Sequence, residues 1–200
     1  MDSDARQAQL KARYYSETSA TGLPPIRRLV TGHNEQGSAT LLQQDGGQWT
    51  RYDDGSMAFN VLYSTSQFPP DMNNDKDLDQ HDSLMERGTL GLVNPTGTVL
   101  RIVDFGPGLK GRMHRTQSLD YGIVLEGEVD MVLDNGETHR MKRGDVAVQR
   151  ATIHQWCNPT SKWARVAFVL QDSAPVSVAG KRLREDLGGP LRYPPSGNDD

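Results

Sequence analysis

From Ile26 onward the chain breaks into short apolar runs of strand length, separated by glycine, proline, asparagine and aspartate. Ile26–Val30 and Ala39–Leu42 flank the loop Gly32–Gly37, a spacing that predicts a hairpin, and Phe59–Tyr63 is a further run of β-favouring residues. After Val99 the pattern becomes regular. Val99–Phe105, Tyr121–Leu125, Val129–Leu133, Asp145–Gln149 and Trp163–Leu170 are all strand-length, with turn residues between them. The Asn135-Gly136 pair after Asp134 is a strong hairpin signal. Short strands at such even spacing predict an all-β sandwich or barrel.

Three stretches depart from this pattern. Asp4–Tyr15 places Leu10 and Tyr14 one helical turn apart, and Asp79–Arg87 reads as a short helix stopped by Gly88. Lys181–Leu187 is charged and also reads as a short helix, before a tail rich in proline and glycine. The resulting division is an N-terminal arm over 1–25, strands with an acidic loop and helix over 26–98, a barrel over 99–172, and a short helix and tail over 173–200.

Composition narrows the function classes. A chain of 200 residues can bury one core, and a hydrophobic fraction of 35% with 20 glycines and 11 prolines suits a turn-rich β domain. The net charge of -4, with no basic run, leaves no electrostatic footprint for nucleic acid. No window approaches the ~18 apolar residues of a membrane span, and the polar start lacks a signal peptide's apolar segment. A single cysteine, Cys157, excludes an internal disulfide. These features together predict a soluble, cytoplasmic protein whose partner is a small molecule. The acidic cluster Asp71, Asp75, Asp77, Asp79 and Asp82 lacks the alternation and central glycine of a calcium loop and reads as a solvated face.

The chemistry concentrates in two segments. The first runs Gly108-Leu-Lys-Gly-Arg-Met-His114-Arg-Thr116-Gln-Ser-Leu-Asp120 and continues to Gly127. The second runs Gly144-Asp-Val-Ala-Val-Gln149-Arg-Ala151-Thr-Ile-His154-Gln-Trp156-Cys157-Asn158. Residues two apart share a strand face, so His114 and Thr116 are expected to point together, with Asp120 and His154 converging on them near a barrel mouth. Ile123, Leu125 and Val148 are candidate dry walls. Trp156 reads as core, and Cys157 as facing away from His154.

These two segments resemble the paired motifs of the cupin superfamily, whose fold is a single double-stranded β-helix, or jelly-roll, barrel. Thr116 stands where the first motif has its second histidine, and Asp120 where it has glutamate. Gln149 and Ala151 replace the proline and glycine of the second motif. In metal-binding cupins the matching positions hold one divalent ion. The resemblance therefore implies His114, Asp120 and His154 as ligands of Fe, Zn, Mn or Ni, with Asp120 one methylene short of its glutamate counterpart. Two histidines and a carboxylate suffice for Fe(II). A metal-free pocket, in which the histidines act as acid and base, is the alternative, and a passive ligand pocket is a third.

Further phrases, Leu23 to His33, Gly91 to Pro95, His114 to Gly127 and Lys142 to Asp145, resemble small stand-alone cupins of fungal secondary-metabolite clusters. That resemblance implies a tailoring enzyme acting on a small organic acid or polyketide-derived aromatic compound by decarboxylation, dehydration or isomerisation. A dioxygenase and a non-catalytic binding protein are the rivals. His114, His154 and Asp120 are the expected catalytic groups. Thr116, Gln149, Trp156 and Arg101 are the expected substrate contacts, Arg101 and Arg112 near the rim or else on the surface. Cupins of this size commonly pair, so a homodimer is expected. His33, His81 and His139 are expected to be structural or solvent-facing.

Overall fold

Gly88 takes a left-handed conformation (φ 62°) and its N–H donates to the carbonyl of Leu84, which ends the one α-helix among the described residues, α1 (Lys76–Arg87). The computed structural model describes residues 21–189 and 194–199, so the helix expected at Asp4–Tyr15 lies outside the described residues. Helix α1 starts three residues before the sequence pattern predicts, and it buries Leu78 and His81. All other named elements except two short 3-10 turns are strands. They are β1 (Arg28–His33), β2 (Ala39–Asp45), β3 (Trp49–Tyr52), β4 (Met57–Thr65), β5 (Thr98–Phe105), β6 (Ser118–Glu126) and β7 (Glu128–Leu133). β8 (Thr138–Lys142), β9 (Val146–Arg150), β10 (His154–Cys157), β11 (Ala164–Asp172), β12 (Val176–Val178) and β13 (Lys181–Leu183) complete the chain.

Six strands form one sheet in the order β3-β4-β5-β11-β6-β9, and β10-β7-β8 form a second. β1 with β2, and β12 with β13, are separate hairpins. All the pairings are antiparallel. β3 and β4 thus extend the barrel sheet directly and contribute to its inner wall. The core lies between the two sheets. Val103 and Phe105 of β5, Val124 of β6, and Val166 and Phe168 of β11 meet Val129 of β7, Met141 of β8 and Trp156 of β10. The strands form the all-β architecture that their spacing predicts, and the single jelly-roll barrel that the motif resemblance implies.

The helix expected at Lys181–Leu187 does not form. Val178 pairs with Lys181 across a two-residue turn, Ala179-Gly180, and both turn residues have positive φ (48° and 76°). That backbone matches the right-handed twist of a hairpin, so pairing with Val176–Val178 overrides the helical charge pattern. Downstream, Asp186 forms a backbone bridge to Arg115, which ties the tail to the segment carrying the first motif.

A fully buried ion pair joins β5 to β11. Arg165 and Asp104 are register partners, and the guanidinium donates from Nε to Oδ1 (2.6 Å) and from Nη2 to Oδ2 (2.7 Å). Both side chains are buried, and Arg165 also lies over the Trp49 ring of β3.

Candidate functional site: a histidine pair in a closed barrel

His114 and His154 stand directly opposite one another in a two-residue bridge, exchanging backbone hydrogen bonds of 2.8 and 2.9 Å. The segment before His114 reaches β10 because Gly111 has no side chain: a Cβ there would meet the Trp156 carbonyl oxygen at 2.5 Å. The two imidazole rings sit 4.4 Å apart between centroids, tilted by 56°. Each is held in the same way from behind. Nδ1 of His114 lies 3.0 Å from the Arg112 carbonyl oxygen, and Nδ1 of His154 lies 2.9 Å from that of Thr152. A carbonyl can only accept, so both Nδ1 atoms carry the hydrogen and both Nε2 atoms keep a lone pair. Neither Nε2 hydrogen-bonds to the described residues. Burial pushes His154 down to about 3, helped by its neighbour His114, and burial lowers His114 as well. Both rings are therefore neutral at ordinary pH.

Asp120 of β6 faces Gln149 of β9 as a register partner. Its Oδ2 accepts from the Thr116 hydroxyl at 3.4 Å, and Thr116 in turn accepts from Ser118 at 2.7 Å. Burial raises Asp120 to about 6, against the opposing hydrogen bonds from Ser118 and Thr116 and the charge of Arg101. Its Oδ1, both amide atoms of Gln149 and the indole N–H of Trp156 are buried without a hydrogen-bond partner. Such orphans are rare in native interiors and point to a ligand or water that serves them.

All of these groups except Thr116 and Ser118 line one cavity. The cavity has a volume of about 80 Å³, room for a few waters. Met57 and Phe59 of β4, Val103 and Phe105 of β5, and Phe168 and Leu170 of β11 supply apolar wall. Asp53 and Arg112 also line it. Arg101 is no surface residue. It is 4% exposed, donates from Nη2 to the Gly91 and Leu92 carbonyls (2.8 and 2.7 Å), and lies over the Phe59 ring.

The structure places His114, His154, Asp120, Gln149, Trp156 and Arg101 in the lining of one cavity. Thr116 differs: His114 and Thr116 do not share a strand, because β6 begins only at Ser118, and the Thr116 hydroxyl stands behind Asp120 instead of facing the cavity. Val148 points outward and is 56% exposed, so it is not a wall of the site, and Ile123 and Leu125 are not among the lining residues. The wall residues Met57 and Phe59 were missed as site residues. Their two-residue spacing on β4 was the available signal, but it could not say which face looks inward. His81 is buried between Ser64 (2.9 Å) and Arg28 (3.3 Å), whereas His33 and His139 are exposed. Among the described residues, no three His, Cys, Asp or Glu side chains converge to hold a metal ion. His114, Asp120 and His154 all line the one cavity without forming such a group. The imidazoles face each other, while the shorter Asp120 carboxylate is engaged by Thr116.

What fold and site define is a single-barrel protein with a histidine-lined pocket. The family description "Cupin domain" matches residues 101–170. The chain is 41% identical over 172 residues to the cupin-domain-containing oxidoreductase fogC of Aspergillus ruber, covering 84% of this chain and 82% of that protein. It is 40% identical over 171 residues to the cupin-domain-containing oxidoreductase virC of Hypocrea virens, covering 84% and 86%. It is 45% identical over 130 residues to phomopsin biosynthesis cluster protein D of Diaporthe leptostromiformis, covering 64% and 68%. The chain belongs to this family of fungal cupin-domain proteins. No helix among the described residues is long and apolar enough to cross a membrane.

Proposed function

We propose that the protein is a tailoring enzyme that moves a proton on a small organic acid or polyketide-derived aromatic compound within the histidine-lined pocket. The observation that carries this reading is the set of buried, unpartnered polar atoms on Asp120, Gln149 and Trp156 around two neutral imidazoles. The name of one fungal relative, phomopsin biosynthesis cluster protein D, supports a role in a biosynthetic cluster. Decarboxylation, dehydration and isomerisation share one demand: negative charge must develop on a substrate oxygen and be stabilised there. Asp120, raised to about 6, is better matched to accept a proton near neutrality than His154, lowered to about 3. The two Nε2 lone pairs accept hydrogen bonds from substrate hydroxyls or from a water and so orient them. The Trp156 N–H and the positive charge of Arg101 stabilise the developing oxyanion.

The test is exchange of α-protons of an aryl methyl ketone with deuterated water, followed by NMR. Asp120→Asn is expected to slow exchange by about a hundredfold or more, and His154→Gln to weaken it less. Exchange no faster than in buffer alone for the wild type would defeat the reading. A second reading, oxidation, is favoured by the word "oxidoreductase" in two relatives' names. It predicts oxygen consumption with substrate, read in an oxygen electrode, and metal in the purified protein that is lost in His154→Ala. The expected homodimer belongs to the same proposal. Leu29 and Leu41, exposed on the β1–β2 hairpin, offer it apolar surface, and sedimentation measures it.

A further inference from the structure

Arg101 lines the cavity, but the groups that aim it lie in a segment outside the named strands. Its Nη2 donates to the Gly91 and Leu92 carbonyls at 2.8 and 2.7 Å, in the connection between α1 and β5. A guanidinium is planar, so two carbonyls on one nitrogen fix its plane as well as its position. The aim of Arg101 is therefore only as firm as the hold on Gly91 and Leu92. On the β5 side that hold is Asn94, whose amide donates to the Thr65 carbonyl at 2.7 Å and the Ser66 hydroxyl at 3.1 Å.

On the other side the hold is the C-terminal tail. The Val93 N–H donates to the Ser196 hydroxyl oxygen at 3.2 Å. Ser196 donates from its hydroxyl to one oxygen of Glu185 and from its N–H to the other, at 2.5 and 3.1 Å. With its hydrogen committed to the carboxylate, the hydroxyl can only accept from Val93. Gly91 lets the tail come this close: a Cβ there would meet Ser196 Cα at 2.8 Å and the Pro195 carbonyl oxygen at 2.9 Å. Val93 is fully buried and Ser196 is 5% exposed, so bulk water does not replace the contact. Glu185 is itself held by its neighbours, because the Asp186 backbone bridges Arg115 and Leu187 is buried in the core.

We infer that Ser196, oriented by Glu185, is a positioning residue for Arg101: through Val93 it sets the two carbonyls that aim the guanidinium within the cavity. The role rests on the reading of the cavity as the reaction site. There Arg101 contributes a charge whose worth to a developing oxyanion depends on where it stands. The contact that fixes it comes from 103 residues further along the chain than Val93.

The Arg101 Nε–H resonance, assigned with Arg101→Lys, reports the aim directly, and deuterium exchange into an aryl methyl ketone reports the reaction. Ser196→Ala is expected to shift that resonance and to slow exchange about tenfold or more. Ser196→Thr keeps the hydroxyl and is expected to restore both. Asn198→Ala cuts the tail's side-chain bonds to Gln117 and Asp172 without touching Val93, and is expected to leave the Arg101 resonance in place. Should Ser196→Ala fail to fold, Glu185→Gln carries the same test, since its amide sets a donor against one of the two Ser196 donors. An unmoved resonance in the variant that carries the test overturns the inference. So does an equal shift in Ser196→Thr or Asn198→Ala, or a shifted resonance with exchange at the wild-type rate. If the wild type exchanges nothing, the enzymatic reading fails by itself and the resonance alone decides the positioning.

Discussion

At the scale of single residues, the site is built from groups that the fold holds away from their solution behaviour. Asp120 shows this most clearly. Its carboxyl is raised from the usual 3.8 to about 6 because burial disfavours the ion. A raised folded-state value means that its contribution to stability is fully present below 3.8 and is lost as pH rises through about 6. Asp120→Asn is therefore expected to stabilise the fold above pH 6, by up to ~3 kcal/mol for a shift of about two units, and to bring no gain below pH 4. Thermal melts of both proteins at pH 4 and pH 8 check it. A variant no more stable than wild type at pH 8 would show that the carboxylate is better solvated than its surroundings imply. The same carboxylate sets the expected activity profile: the rate falls as pH drops below about 6, because the histidines have no proton to gain there.

At the scale of elements, β5 and β11 depend on a charge pair that neither can shed alone. Asp104 and Arg165 are both buried, and their fork is bidentate. Asp104→Ala leaves the guanidinium buried without its carboxylate and is expected to cost about 3–5 kcal/mol, measured by denaturant unfolding. The tail acts on the site through a second set of contacts. Ser196 donates to Glu185 (2.5 Å) and accepts from the Val93 N–H (3.2 Å), which braces the loop whose Gly91 and Leu92 carbonyls hold Arg101. Asn198 donates to the Gln117 carbonyl (2.9 Å), next to the Thr116 and Ser118 hydroxyls behind Asp120.

At the scale of the whole molecule, acid is expected to unfold the protein through its histidines. His81 is lowered from 6.5 to about 4 by burial and the charge of Arg28, and His154 is lowered to about 3. Depressed folded-state values mean that their contribution is present above 6.5 and is lost as pH falls toward those values. Asp120 acts in the opposite direction between about 6 and 3.8, but as one group against His81, His114 and His154. The melting temperature is expected to drop between pH 6.5 and pH 4, and His81→Gln to shrink that drop if the mutant folds. A melting temperature that stays flat over this range would mean that the histidines are not buried as neutral rings.

The barrel was readable in the chain because local chemistry dictates it: alternation along strands, the Asn135-Gly136 turn, and the spacing of His114, Asp120 and His154 each need only neighbours in sequence. Ala151, where the motif has glycine, takes a left-handed backbone (φ 52°), which only the structure shows. Tertiary contacts decided the rest. Lys181–Leu183 became a strand because a turn with two positive φ angles and a neighbouring strand outweighed its helical charge pattern. Arg101 became a buried cavity wall because distant carbonyls at Gly91 and Leu92 receive it. Thr116 lies outside strand β6, which begins at Ser118, and its hydroxyl donates to Asp120. Which face of a strand looks inward, and what then meets there, depends on closure of the sheet, a property that no segment carries by itself.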